Sequence, residues 1–362
     1  MRSSCPRLGA LWCLLLVRGP GRVSAAAALA LPGPAPQQRQ QSPAGLNKEC
    51  EKCHPAIARE WRDSYHRLAN QDPAFQRALA REPAPFCRRC HAPEADPSRD
   101  ATGWAAENGV ACVTCHVLDG QIVSGNVHPG KPAPHPLRRD ARLAEPAACA
   151  RCHEFQFPDG RLRRRPEFMQ LTLTEHRAAA DATTSCVSCH MPRVPDGKGG
   201  SHRSHQFLGG HDELKLRAAL HVQAVRHSDR VTLHLTPQHV GHALPTGDLF
   251  RRLVLQLQVD GEPNLPGLRR DLMRHFEAVQ ELPGKRVRVT ASDDRLTGPT
   301  AISFPLPPQA QNRPVRWQVT YERVAFPFDQ RGGQAAVDGA VVLDSGTLAP
   351  STAIAVAKPA NF

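Results

Sequence analysis

Five copies of one short cysteine motif constrain this sequence more than any other feature. Ten of the 12 cysteines form five pairs, each with two residues between its members and a histidine directly after the second cysteine. The pairs are Cys50/Cys53, Cys87/Cys90, Cys112/Cys115, Cys149/Cys152 and Cys186/Cys189. The following histidines are His54, His91, His116, His153 and His190. This C-x-x-C-H pattern is the attachment signature of c-type haem.

Covalent haem explains both cysteines and the histidine of each motif. Each thiol adds across a haem vinyl group, and the adjacent histidine becomes the proximal iron ligand. The alternatives for paired cysteines are zinc sites and disulfides. Zinc sites built from C-x-x-C pairs do not require a histidine directly after the second cysteine, and a disulfide across a two-residue gap is usually a single redox motif. The sequence therefore predicts five haem c groups, attached through the ten paired cysteines.

The charge and composition of the chain agree with this prediction. The formal net charge is +12 and the pI about 9.5, but five haems carry roughly ten propionate charges that would offset it. We find no basic stripe with interleaved aromatic residues, so no nucleic-acid binding is predicted. Aromatic residues make up only 5% of the chain. The haems are therefore expected to supply much of the apolar bulk.

The N-terminus has the pattern of an export signal. Arg2 and Arg7 precede the apolar run from Leu8 to Val17, and small residues follow at 25–30. This run is too short for a membrane span. We predict a signal peptide over residues 1–30, a disordered linker over 31–46, no transmembrane anchor, and a periplasmic or extracellular location.

The region with the attachment motifs is expected to fold as short helices and loops. The motifs begin 37, 25, 37 and 37 residues apart, so neighbouring haems must pack against one another. An apolar stripe that includes Trp61 and Tyr65 predicts a helix over 55–70 with Tyr65 in the core. Asp72 is a predicted N-cap for a helix that ends near Arg81. We assign residues 47–217 to a pentahaem cytochrome c domain.

The sequence changes character after about residue 218. Seven segments with alternating apolar residues, separated by turn signals, predict short strands and a sandwich-like arrangement. A small barrel is the alternative. The segments are LHVQAV, RVTLHLT, RLVLQLQV, RVRVTAS, AISFPL, VRWQVTYERV and AVVLDSG. We predict an α+β protein in which a loop-rich haem domain precedes an all-β domain at 218–362.

Several motifs resemble those of a known family. The stretch E-C-x-x-C-H-P followed by E-W-x-x-S-x-H resembles the opening of multihaem c-type cytochromes related to the tetrahaem electron acceptor of hydroxylamine oxidoreductase. Segments 109–120, 133–137, 149–155, 185–192, 205–220 and 241–255 resemble a larger multihaem family. This resemblance implies a multihaem fold, haem c and redox partner proteins.

The resemblance and the local sequence predict distal iron ligands. In the first motif of the family, the trailing histidine ligates a neighbouring haem, which implies this role for His66. His135 stands between two prolines that restrict its backbone, and His205 and His211 flank a Gly-Gly pair that lets the backbone approach a macrocycle. His242 precedes a Pro-Thr-Gly turn. The reserve candidates are His176 and His128.

Two functions fit these features. Five haems with two histidine ligands each would carry electrons between redox partner proteins. The β-domain could also join copies of the chain into an oligomer. A single open haem would instead make the chain an oxidoreductase for a small nitrogen or sulfur compound. Pentahaem nitrite reductases usually have a C-x-x-C-K motif, which is absent here. Electron transfer is therefore favoured over catalysis, and no catalytic residue is assigned.

Overall fold

The computed structural model describes residues 33–34, 41–126, 133–157, 167–197, 199–261, 265, 268–282, 284–326 and 335–350. Pro32–Phe362 form one compact unit. The predicted signal peptide and His128 lie outside the described residues. Among the described helices, none has the length and apolar character that a transmembrane span needs.

The helices of the described chain are short and lie mainly in its first half. Four of them begin with a proline, whose fixed φ suits the first helical turn but prevents extension of the preceding helix. They are α1 (Pro43–Cys53), α2 (Pro55–Arg62), α3 (Pro73–Arg81), α4 (Arg88–His91), α5 (Gly103–Asn108), α6 (Cys112–His116), α7 (Pro146–His153), α8 (Thr172–Ala178), α9 (Cys186–His190) and α10 (Glu213–Ala218).

Short strands connect the helices of the motif region. These strands are β1 (Val117–Leu118), β2 (Gln121–Ser124), β3 (Arg138–Arg139), β4 (Glu154–Gln156), β5 (Phe168–Leu171), β6 (Arg193–Pro195) and β7 (Ser201–Arg203). They form one three-stranded sheet, β1-β2-β3, and two antiparallel pairs, β4-β5 and β6-β7. The described buried apolar cluster of this region is small and consists of Trp61, Ala111, Val113 and Val117.

Longer strands fill the second part of the chain. They are β8 (Leu220–Arg226), β9 (Arg230–Pro237), β10 (Arg252–Val259), β11 (Arg269–Leu272), β12 (Arg274–Leu282), β13 (Lys285–Asp293), β14 (Thr300–Pro305), β15 (Val315–Phe326) and β16 (Ala336–Leu348). A four-stranded sheet has the order β11-β10-β15-β16, and a three-stranded sheet has the order β14-β9-β8. Strands β12 and β13 pair with each other only, among the described strands.

The two larger sheets share one apolar core. On β10, Leu253, Leu255 and Leu257 are buried while Gln256 is exposed, as expected for a strand with one face inward. Leu233 and Leu235 of β9 belong to the same cluster. All seven predicted strands are present, and the α+β prediction is confirmed. Strands β11 and β12 were not predicted, because their polar and charged residues hide the alternation.

Two sequence predictions differ from the structure. Helix α2 ends at Arg62, not near residue 70, and a series of turns follows it. The apolar stripe therefore does not continue, and Tyr65 is 46% exposed rather than part of the core. Helix α1 begins at Pro43, inside the predicted linker, because the Ser42 side chain caps it by accepting the Gly45 N–H at 3.1 Å.

Candidate functional site

Each cysteine motif coincides with a short helix or with its end. Helices α6 and α9 consist of a whole motif, α7 ends on one, and α1 ends at Cys53 with His54 as its C-cap. In the second motif, Cys87 ends a 3-10 turn that leads into α4. Residues at positions i, i+3 and i+4 share one face of a helix. The spacing therefore directs both thiols and the histidine of a motif toward the same side.

All five motifs line one large cavity. The cavity has a volume of about 2780 Å³, and its walls include the ten paired cysteines and the five histidines that follow them. None of these ten cysteines forms a disulfide. Within the described residues, no three His, Cys, Asp or Glu side chains are grouped to hold a metal ion by themselves. Eight further histidines line the cavity: His66, His135, His176, His202, His205, His211, His239 and His242.

Three of these histidines face a motif histidine across the cavity. The ring centroids of His66 and His153 are 6.2 Å apart, those of His116 and His205 are 6.2 Å apart, and those of His190 and His242 are 6.3 Å apart. An imidazole nitrogen binds a metal at about 2.0–2.1 Å, and the ring centroid lies about 1.1 Å behind it, so rings on opposite sides of one metal have centroids about 6.3 Å apart. The three separations fit one iron between each pair.

Hydrogen bonds to the backbone orient several of these rings. The Nδ1 atoms of His91, His116 and His190 donate to the carbonyls of Ala69 (2.7 Å), Val123 (2.8 Å) and Leu208 (2.7 Å). Those of His205 and His242 donate to Arg203 (2.8 Å) and Ala243 (2.9 Å). A histidine that donates through Nδ1 presents an unprotonated Nε2 to a metal. These residues therefore fit the axial positions of a haem.

Burial favours the neutral form of several of these rings. It lowers the pKa of His66 to about 3, with a smaller contribution from the charge of His153. Burial also lowers the pKa of His153, His190 and His242. Only a neutral imidazole has a lone pair for a metal. These histidines are therefore ready to coordinate at neutral pH without first losing a proton.

The first and second motif histidines have a different environment. Burial lowers the pKa of His54, and the charges of His135 and His116 add to this effect. His91 stacks on Phe75 with ring centroids 3.7 Å apart. Among the described residues, no histidine ring faces His54 or His91 at the separation of the other three pairs.

His176 and His211 are both placed in the cavity wall without a facing motif histidine. His176 is 7% exposed and donates through Nδ1 to the Gly241 carbonyl at 2.7 Å. Its Nε2 is buried and has no partner, so it is available to a group in the cavity. The His211 ring stacks on Tyr65 at 3.6 Å, and its Nδ1 is buried without a partner.

Two residues contact these histidines or a cysteine motif, although no sequence pattern predicts them. Glu60 on α2 accepts a hydrogen bond from the His205 backbone N–H at 2.8 Å and from Nε2 of His202 at 2.9 Å. This contact engages His202 through the nitrogen that a metal would use. Asn47, which is fully buried, accepts the Cys112 N–H at 2.9 Å and so joins the first and third motifs. Both contacts join residues far apart in sequence, which no local pattern reveals.

Cysteines of different motifs lie side by side. The side chains of Cys152 and Cys90 shift each other's pKa, and so do those of Cys149 and Cys186. Cys115 lies near Cys152 as well. The fourth motif is therefore close to the second, third and fifth. The first motif is close to the third, since the charges of Cys50 and Cys112 interact.

Comparisons with known proteins relate the chain to multihaem cytochromes. The sequence model of the family "Cytochrome c554 and c-prime" matches residues 49–117. No curated protein sequence matches the chain. The fold is similar to that of a penta-heme cytochrome c552 from Thermochromatium tepidum, with a TM-score of 0.61 and 21% identity over 83% of this chain and 98% of that chain. The resemblance to multihaem c-type cytochromes is confirmed.

Proposed function

We propose that this protein carries electrons through five covalently attached haem c groups, most of them with two histidine ligands. The observation that supports this most directly is the set of three facing histidine pairs at 6.2–6.3 Å in a cavity lined by ten thiols. The thiols of each motif would hold one haem, and the following histidine would be its proximal ligand. The facing rings of His66, His205 and His242 would be distal ligands, and His135 would serve the first motif.

In this proposal, histidines of the chain would fill both axial positions of most haem irons, so that no position stays vacant for a substrate. A haem iron supplies one-electron redox chemistry, and a second histidine leaves it without a vacant position. The backbone hydrogen bonds at Nδ1 fix the ring orientation and raise the basicity of the ligating nitrogen. Little reorganisation is then needed when the charge of the site changes.

The interactions between cysteines of different motifs suggest the order in which the haems would exchange electrons. Motif four stands at a branch point, with motif two and motif five beside it and motif three leading to motif one. Electrons that enter at one end would therefore pass the fourth haem to reach another branch. Redox partner proteins would dock where a terminal haem lies near the surface.

The proposal also includes the cellular location of the protein and the role of each region of the chain. Covalent haem attachment takes place outside the cytoplasm, and residues 1–30 would direct export to the periplasm or beyond. Residues 47–217 would hold the haems, and residues 218–362 would support them and provide a surface for a partner or a second copy.

In the alternative function, the haem of the second motif would lack a distal ligand and would bind a substrate. One observation supports it. His91 has Phe75 stacked beside it, and no described histidine ring faces it across the cavity. If that iron position stays vacant, the chain would act on a small nitrogen or sulfur compound there. Electron paramagnetic resonance of the oxidised protein, with haem content measured on the same sample, decides between the two functions. We expect five haems, with low-spin signals from the saturated irons; one high-spin haem per chain would favour the alternative.

Replacement of His66 by alanine should convert one haem from low-spin to high-spin. The change removes the ring that faces His153 and leaves the other facing pairs intact, so one fifth of the haem should respond. Spin state is measured by paramagnetic resonance and by the visible absorbance bands. His227→Ala, in the turn between β8 and β9, is the matched control and should leave all spectra unchanged. Persistence of every low-spin signal in His66→Ala would contradict the assignment.

A further inference from the structure

Four polar side chains converge near Gly210. Arg251 follows the Pro-Thr-Gly turn, Tyr321 and Arg323 lie on β15, and His211 follows Gly210 directly. All four line the haem cavity. Tyr321 is 2% exposed, and both arginines are partly buried.

The backbone at Gly210 allows these groups to come close together. A Cβ at this position would lie 2.7 Å from Tyr321 Oη and 3.0 Å from Arg251 Nη1. The Gly210 carbonyl accepts a hydrogen bond from Arg323 Nη1 at 3.0 Å. Glycine therefore brings a hydroxyl and two guanidinium groups around one short segment of backbone.

The positive charge of this cluster has no partner in the described chain. Arg251 donates to the Thr246 carbonyl at 3.1 Å, and Arg323 donates to Gly210, but neither guanidinium forms an ion pair with a described carboxylate. The Nδ1 atom of His211 is also buried without a partner. A guanidinium has five N–H donors, so both arginines keep donors for a ligand. Partly buried cations are normally paired.

We propose that Arg251, Arg323 and Tyr321 form an anion-binding site that takes a carboxylate or a similar small oxyanion. A guanidinium fork matches the two oxygens of a carboxylate, and a hydroxyl beside it can donate a further hydrogen bond. Two sources have this chemistry: a propionate of an attached haem, or a free oxyanion from solution. The propionate source rests on the proposed haem attachment, whereas the free source does not.

Redox titration of the full-length haem-loaded protein tests the propionate source. Arg323→Gln removes a positive charge beside the propionate and so favours the more positive oxidised iron. The reduced-to-oxidised ratio of one haem should fall about tenfold at a given potential, which is about 59 mV for a one-electron couple. Arg316→Gln, on the same strand but exposed and paired with Asp260, should shift no haem. Arg323→Lys keeps the positive charge, so the potential of this haem should stay closer to the wild-type value than in Arg323→Gln.

Titration with acetate by calorimetry tests the free source. If the site takes a solution anion, wild-type protein should bind acetate, and Arg323→Gln should weaken this binding at least about tenfold while all haem potentials stay in place. Tyr321→Phe removes only a hydroxyl and should act in the same direction as Arg323→Gln, which keeps the test valid if the arginine variant does not assemble.

The two readouts together can overturn the proposal. Unchanged potentials and no acetate binding that depends on Arg323 or Tyr321 would show that the cluster is not an anion site. Haem content is measured on every sample. A wild-type content below five per chain would refute the proposed haem set, but the acetate titration would still decide whether the anion site exists.

Discussion

Replacement of Cys149 and Cys152 by serine is expected to remove one of the five haems and to divide the remaining four into separate groups. Cysteines of the fourth motif interact electrostatically with cysteines of the second, third and fifth motifs. Its loss therefore removes the connection between these branches. Haem content should fall by one fifth, and rapid kinetic reduction should show that a donor reduces some haems in a fast phase and the others in a much slower one.

The matched control removes a haem at the end of the arrangement. Cys50→Ser with Cys53→Ser also lowers the haem content by one fifth, but the first motif has only the third motif beside it among the thiol contacts described. Its remaining four haems should still be reduced together. Equal kinetics in the two double variants would contradict the branch point at motif four.

Replacement of Arg295 by methionine should destabilise the protein by about 3–5 kcal/mol, since it leaves the buried Glu175 carboxylate without a counter-charge. Arg295 Nη2 lies 2.7 Å from Glu175 and 2.7 Å from Asp293, and the side chains of Arg295 and Glu175 are only 6% and 10% exposed. Burial alone would lower the pKa of Arg295, but hydrogen bonds and the charges of the two carboxylates raise it. The guanidinium therefore stays charged at every ordinary pH.

Thermal or denaturant unfolding of the haem-loaded protein measures this loss. Arg270→Met is the control, because Arg270 pairs with Asp294 at 2.7 Å but is 56% exposed. An exposed pair contributes about 0–1 kcal/mol. A similar stability for the two variants would show that the buried pair does not hold the structure together.

The Arg295 network also explains how the β-strands support the haem region. Glu175 is on α8, next to His176, while Arg295 follows β13 and donates to the Pro245 carbonyl at 3.1 Å. Arg274 of β12 donates to the Phe168 carbonyl at 2.9 Å in the same way. The Arg295 contacts hold the segment that carries His242 against α8. Under the proposed function, the β-strands would therefore help to position one distal histidine.

Features that depend on near neighbours in the chain can be predicted from the sequence. A C-x-x-C-H motif is local, so ten attachment points and five proximal histidines can be predicted without a structure. The strands of the second part follow from alternation, which is also local, and all seven predicted strands are present. The polar strands β11 and β12 lack that alternation and were missed.

The side chains that meet across the cavity are far apart in the sequence, so their pairing can be read only from the tertiary structure. His66 faces His153, 87 positions later in the chain, and Glu60 holds the backbone of His205. Tyr65, predicted to be core, stacks on His211 because α2 ends three residues earlier. Such pairings depend on the packing of distant segments, where side-chain periodicity has no influence. The chemistry of the haem ligands is thus local, whereas the assignment of each ligand to an iron is a property of the whole fold.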